Sequence, residues 1–273
     1  EKLNIKEPFK GLFTQGMVCH ETYKDDANNW VSPDEIISKD GKKFLKKDNA
    51  KIIKVGPSES MSKSKKNTID PENIINSYGA DAVRLFILSD SPPEKDVQWS
   101  EEGIVASYKF IQKLWSLNTR IIEEANKDHS EDIGTELTSY TNKFIKKMTN
   151  NLENFHYNVI IANLHEMHSF LIKEINNRYQ KKTILENYKK ILITIMPILP
   201  HLSNECLEVI AENNKIVIQI NGKKRGLIDA EPNLNEEELM KLVNIDNNLT
   251  KYLLDKKIKK KIYIKNKLIN III

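Results

Sequence analysis

The sequence predicts three successive folds: an α/β segment over residues 1–99, an all-α antiparallel helix bundle over 100–213, and a small α+β domain of order ββααββ over 215–273. Three observations carry this reading. Short apolar runs broken by Gly and Pro mark the first part, apolar residues at helical spacing fill the second, and strict apolar alternation opens the third.

In the first part, Leu12 to Val18, punctuated by Gly11 and Gly16, reads as a loop entering a short buried strand. Residues 19–54 are polar, with islands at Trp30-Val31 and Ile52-Ile53, and read as an inserted hairpin-like surface excursion. Within it, Asp40 to Lys51 is charged enough to be expected mobile or solvated. Lys51 to Val55 reads as a strand that Gly56-Pro57-Ser58 breaks, followed by a polar, lysine-rich loop from Ser60 to Asn67. Asp70-Pro71-Glu72 is a helix start: an aspartate can cap free amides, Pro suits the first turn, and Glu favours the positive end of the dipole. Gly79 stops that helix. A second helix carries Val83, Leu85, Phe86 and Leu88 and ends at Ser91-Pro92-Pro93.

The bundle is expected as segments of about 101–126, 135–154, 157–178 and 181–212. Ile104, Tyr108, Ile111, Leu114 and Trp115 share one apolar face; Leu164, Met167, His168 and Leu171 share another. Met167 and His168 read as core rather than ligands. The loop Lys127 to Gly134 is expected to be solvated, and Pro197 and Pro200 should kink or split the last segment. In the tail, Ile216, Ile218 and Ile220 alternate with Val217, Gln219 and Asn221, and Asn221-Gly222 signals a hairpin because both residues tolerate positive φ. Helices near Asn235 and Asn247 and a closing hairpin around Lys265-Asn266-Lys267 complete the order.

Charge is unevenly spread. Residues 1–99 carry 16 basic and 16 acidic side chains, residues 100–214 carry 13 and 15, and residues 215–273 carry 13 and 7. A basic small domain fits a polyanion partner through phosphate neutralisation, and equally fits a lysine-rich solubility device. The two cysteines, Cys19 and Cys206, are too far apart in sequence to indicate a disulfide framework or a CxxC site. Cys19-His20 reads as a buried thiol beside a loop histidine, and no metal site is expected. No apolar run is long enough for a bilayer span and no N-terminal signal pattern is present, so a cytoplasmic protein with no membrane partner is expected. The start at Glu1, without Met, points to a fragment, a processed chain or a trimmed one.

The residues that carry chemistry are Ser60, Met61, Ser62, Lys63, Ser64, Lys65, Lys66 and Asn67. Three lysines and three hydroxyls just before a helix start suit phosphate: flexible ammonium groups supply charge, while hydroxyls and backbone amides supply directed donors. A mobile lysine that meets charge only in the transition state accelerates chemistry. A Lys/Ser loop that is merely solvated has the same composition. Asp70 and Asp81 read as a helix cap and as half of an exposed pair with Arg84, not as catalytic acids. Trp99 and Trp115 read as core or domain-junction residues, and His201 as structural.

Met61-Ser62-Lys63-Ser64 resembles the KMSKS motif of the class I aminoacyl-tRNA synthetases. EPFKGLFTQGMV at 7–18, MSKSKKNTIDPENIINSYGADAVRLFIL at 61–88, SPPEKDVQWSEEGI at 91–104, VIQINGKKRG at 217–226 and KIKKKIYIKNKLINIII at 257–273 resemble, in order, blocks of the leucyl branch of bacterial type. The resemblance therefore spans the chain and matches the C-terminal portion of that family. It implies an α/β remnant of a class I catalytic domain at 1–99, an anticodon-binding-type helical domain at 100–213 and a tRNA-binding C-terminal domain. It also implies ATP-dependent charging of tRNA(Leu) with leucine through an adenylate, with Mg2+ accompanying ATP, in an enzyme monomeric at full length.

On this resemblance Lys63 is the catalytic residue, stabilising phosphate charge as the adenylate forms. Ser60, Met61, Ser62, Ser64 and Lys65 complete the ATP-binding loop, and Gln15 to Val18 would sit near the adenosine. Lys223, Lys224 and Arg225, with Lys257, Lys259, Lys260 and Lys261, are the expected tRNA contacts, converging on the phosphate backbone. Two departures stand out. Ser60 replaces the motif's first lysine, with Lys65 and Lys66 placed to compensate, and no HIGH-like motif is present. The isolated chain is therefore expected not to activate leucine, and a stand-alone tRNA-binding module or remnant is the alternative reading.

Overall fold

The computed structural model describes residues 9, 11–127, 134–177, 179–213, 215–230, 234–254, 256–264 and 267–273. Residues 7, 8 and 10 of the first family-like block, most of the 127–134 loop and the turn residues 265–266 lie outside the described residues. The chain forms two compact units, residues 1–111 with 150–164, and residues 112–149 with 165–273.

The first unit is built on a three-stranded sheet of order β5-β1-β6, where β1 is Val18–Lys24, β5 is Lys54–Ser60 and β6 is Val97–Gln98. Between β1 and β5 the chain forms a second small sheet: β2 (Ile36–Lys39), β3 (Lys42–Leu45) and β4 (Asp48–Ile52). Tyr23, Val31 and Ile53 are buried there, with Ile36 and Leu45 packed against them. The excursion is thus antiparallel sheet, and it begins after Lys24, because Val18–Lys24 belongs to the main sheet. The run from Leu12 forms no strand before Val18; Leu12 is 92% exposed.

The expected break at Gly56-Pro57-Ser58 does not occur, because the strand absorbs the proline as a bulge. β1 and β5 pair antiparallel with Glu21 opposite Ser58 and Thr22 opposite Gly56, leaving Pro57 without a partner in the ladder. Proline has no N–H to give a ladder, and a bulge is where a strand tolerates it. Gly56 is required at this point: a Cβ there would lie 2.5 Å from the Thr22 hydroxyl oxygen.

Helix α1 (Pro71–Tyr78) starts as expected, with the Asp70 carboxylate accepting from the Glu72 amide at 3.0 Å, and it ends at Gly79 with φ 82°. Helix α2 (Ala80–Ser89) buries Leu85 and Phe86. Phe86 packs with Val97 and Ile104, and its ring meets Trp99 edge-on at 5.5 Å. Asp81 is 5% exposed, a buried carboxylate where an exposed one is expected.

Helices α3 (Glu101–Ala125), α4 (Thr135–Glu153) and α5 (Tyr157–Glu174) each have residues in both units. The second unit adds α6 (Lys181–Ile195) and α7 (Pro200–Asn213), split at the two prolines. Its buried side chains include Leu117, Ile121, Leu137, Met148, Met167 and Ile191. Tyr140 stacks on Phe170 with centroids 3.6 Å apart. Trp115 is 40% exposed and is not core, whereas Met167 is 1% exposed.

The tail forms a four-stranded sheet of order β8-β7-β10-β9, with β7 Lys215–Ile220, β8 Lys223–Asp229, β9 Lys260–Ile264 and β10 Leu268–Ile272. Ile216, Ile218, Ile220, Ile269 and Ile271 are buried with Leu239, Met240 and Val243 of α8 (Glu236–Ile245) and Leu249 of α9 (Asn247–Leu253). Asn221 and Gly222 both have positive φ, 50° and 78°, the geometry of a tight hairpin turn. That turn is tied to β10: the Gly222 amide donates to the Asn270 side chain at 3.0 Å and the Ile273 amide donates to the Asn221 side chain at 3.1 Å.

Candidate functional site

The β1·β5 pair delivers the loop. Cys19 is opposite Ser60 and His20 opposite Glu59, and the Met61 amide adds one more rung to the Val18 carbonyl at 3.2 Å. Past Met61 the chain turns on itself. The Ser62 hydroxyl accepts from the Lys65 amide at 3.3 Å and lies 3.2 Å from the Ser64 hydroxyl. The Lys66 amide donates to the Lys63 carbonyl at 3.2 Å, and Lys66 itself has φ 53°. A turn this tight aims Lys63, Ser64 and Lys66 at solvent, while Met61 is half-buried.

Asn67 holds the turn in place. It is 0% exposed. Its carboxamide oxygen accepts from the Ser62 amide at 2.8 Å, and its nitrogen donates to the carbonyls of His20 and Glu59, both at 3.2 Å. One side chain therefore ties the start of the loop to both strands beneath it. Burial lowers the pKa of His20, beside that bond. Glu59 also forms an ion pair with Lys65.

A cleft of ≈ 610 Å³ lies beside these strands, lined in part by His20, Glu21, Lys43, Ser58 and Trp99. The Lys43 ammonium is 2.5 Å from the Glu21 carboxylate and 2.7 Å from the Tyr23 hydroxyl, which in turn donates to Glu21 at 2.8 Å. The hydrogen bond from Lys43 holds the Glu21 carboxyl below its usual 4.5. This ion pair fixes β3 to β1, so residues 40–51 are not a solvated loop throughout. The strand that precedes the cleft is clasped by residues 93–99: the Gly16 amide donates to the Pro93 carbonyl at 2.9 Å, and the Trp99 amide to the Cys19 carbonyl at 2.8 Å. His20 is thus a strand residue, and Cys19 and Cys206 are buried free thiols.

In the tail, Lys223, Lys224 and Arg225 stand exposed on edge strand β8, while Lys257 and Lys259 lead into the opposite edge strand, β9, which carries Lys260 and Lys261. Register puts them in one row: Lys223 is opposite Ile220, Ile220 opposite Ile271, and Ile271 opposite Lys261. Three strand spacings separate the two clusters, about 14 Å. The clusters therefore flank one end of the sheet. The Arg225 guanidinium lies over the Tyr252 ring at 4.6 Å, and Lys261 is paired with Glu236 at 2.6 Å.

Among the described residues, no group of three or more His, Cys, Asp or Glu is placed to hold a metal, and no helix is long and apolar enough to cross a membrane.

A leucine–tRNA ligase of Rickettsia massiliae (strain Mtu5) is 34% identical to this chain over 99% of it. The chain is a homologue of the leucine–tRNA ligases. Others in this family agree: that of Bartonella tribocorum is 35% identical over 99% of the chain, and that of Granulibacter bethesdensis 33% over 98%. The family described as tRNA synthetases class I (I, L, M and V) matches residues 50–100, and the anticodon-binding domain of tRNA ligase matches 134–268. The chain spans about a third of these relatives, 34–35% of their length. A solved leucyl-tRNA synthetase of Agrobacterium radiobacter K84, 23% identical, overlays 78% of this chain and 31% of its own with TM-score 0.49.

Reasoning from sequence alone missed Glu59, His20 and the pinning role of Asn67. The signal available for Asn67 was its chemistry. It is the one carboxamide in the loop, able to donate and accept at once, directly after the lysines.

Proposed function

We propose that this chain supplies the phosphate loop and tRNA-binding parts of a leucine–tRNA ligase, whose substrates are leucine, ATP and tRNA(Leu). The leucine carboxylate attacks the α-phosphorus of ATP, the bond to the bridging oxygen breaks, and pyrophosphate leaves with the electron pair. Lys63 meets the charge that gathers on this leaving group. Ser60, Met61, Ser62, Ser64 and Lys65 shape and extend the ATP site. Magnesium arrives bound to ATP. The carrying observation is the placement of Lys63: it is exposed at the crest of a tight turn whose base a fully buried asparagine fixes to two strands. A charge free at the tip and rigid at the root suits a group that must reach phosphate late in the reaction.

We assign residues 1–99 to the C-terminal part of the catalytic domain, 100–213 to the helical tRNA-supporting domain, and 215–273 to a basic clamp for the tRNA backbone. The flanking rows at Lys223–Arg225 and Lys257–Lys261 support the last assignment, because phosphate contacts position RNA without reading it. The enzyme is read as a cytoplasmic monomer. The test is ATP–pyrophosphate exchange in the ligase that contains this segment. Lys63→Ala should cut exchange by about two to three decades, as the loss of a transition-state donor does, and leave tRNA binding in place. Equal loss of both activities, or of neither, would remove the role given to Lys63.

A further inference from the structure

The loop entrance lacks a lysine at Ser60, yet a lysine ammonium is close by. Lys65 folds back and pairs with the carboxylate of Glu59, the residue immediately before Ser60. The path to Lys65 is already ordered. Asn67 fixes the Ser62 amide, and the Ser62 hydroxyl accepts from the Lys65 amide. Only the lysine side chain must move for its ammonium to turn outward. The pair is accessible to water, with side chains 39% and 37% exposed. Such pairs are weak, and a polyphosphate with several charges competes well against one carboxylate.

We propose that Lys65 is the second polyphosphate-binding cation of this loop, held by Glu59 until a nucleoside triphosphate arrives and then released to its β- and γ-phosphates. Glu59 is then a positioning residue: it stores the ammonium beside the strand end and sets how much phosphate charge is needed to draw it away. This inference rests on the reading of residues 60–67 as the phosphate loop, and it names where the charge missing at Ser60 comes from.

The test is a calorimetric titration of the chain with inorganic pyrophosphate at low salt, comparing Glu59→Gln, Glu59→Asp, Lys65→Gln, the double variant Glu59→Gln/Lys65→Gln, and Lys63→Ala. Freeing Lys65 by Glu59→Gln should tighten binding about two- to fivefold, the range of an exposed ion pair. Lys65→Gln should weaken it by a similar or larger factor, and Glu59→Asp should keep the unsubstituted affinity. In the Lys65→Gln background, Glu59→Gln should change affinity by less than about 1.5-fold, because the coupling has gone. An equal effect of Glu59→Gln with and without Lys65 would show a general charge effect and overturn the proposal. If Lys63→Ala weakens binding and Lys65→Gln does not, this proposal falls and the phosphate-loop reading stands. No response to any lysine variant, or no binding by the unsubstituted chain, overturns both.

Discussion

Replacing Asn67 with alanine removes three hydrogen bonds from a fully buried site. The Ser62 amide loses its acceptor, and the carbonyls of His20 and Glu59 each lose a donor. Each bond contributes about 1 kcal/mol net, so the sum is about 3 kcal/mol. That corresponds to about two decades in an opening equilibrium. The loss should be local first, because the three partners are the loop start and the two strands that carry it. Hydrogen exchange reads it directly. The Ser62 amide and the amides of Val18–Lys24 and Lys54–Ser60 should exchange faster, with Ser62 affected most. Asn67→Asp separates the contributions: a carboxylate can still accept from Ser62, but it places a buried charge against two carbonyl oxygens. It should be at least as damaging as alanine. Protection at Ser62 unchanged in Asn67→Ala, with opening free energies within about 0.5 kcal/mol, would refute the pinning role.

Other outcomes are expected elsewhere. Unfolding of the first unit should become easier as pH falls in two windows. Buried His20 has its pKa lowered, so the unfolded chain binds a proton first, below 6.5; Glu21 does the same below 4.5, and Lys43→Met should shrink the second window in a denaturant–pH series. Asn235 caps α8 in a reciprocal box with Glu238, with both bonds at 2.9 Å, so Asn235→Ala should cost about 1 kcal/mol in urea unfolding of the second unit. Gly222→Val places a β-branched side chain at φ 78° and should cost about 1–2 kcal/mol by the same measurement. Neutralising Lys223, Lys224, Lys259 and Lys260 to Gln should weaken tRNA binding and lower the salt slope by about one unit for each phosphate that goes without its cation. Lys261→Gln should do less, because Glu236 already compensates its charge.

The helices of the bundle and the ββααββ order were legible because long apolar periods, paired prolines and an Asn-Gly turn act locally. Loop residues 60–66 were legible by composition for the same reason. What depended on distant partners was not. Pro57 read as a strand break because a bulge is visible only once Glu21 and Thr22 are known to lie opposite it. Lys43 read as solvated because its two acceptors lie 22 and 20 residues away. Asp81 read as exposed because spacing alone offered Arg84 as a surface partner, while the fold buries that face of α2. Trp115 differs in the opposite sense: it continues an apolar stripe in sequence, yet it is 40% exposed. The anchor of the loop is backbone, reached from Asn67 across 47 residues to His20, and no side-chain pattern announces a carbonyl.

The position of β10 has a consequence for biosynthesis. It lies between β7 and β9, parallel to the first and antiparallel to the second, and its Ile269 and Ile271 are completely buried. While a ribosome is still making the chain, the β7–β8 hairpin can close by itself, but its apolar face has no central neighbour. That face waits until residues 268–272 leave the exit tunnel, long after the helices of the bundle have had time to pack. A ribosome stalled short of residue 268 would therefore present an unfinished isoleucine-lined sheet to chaperones and proteases.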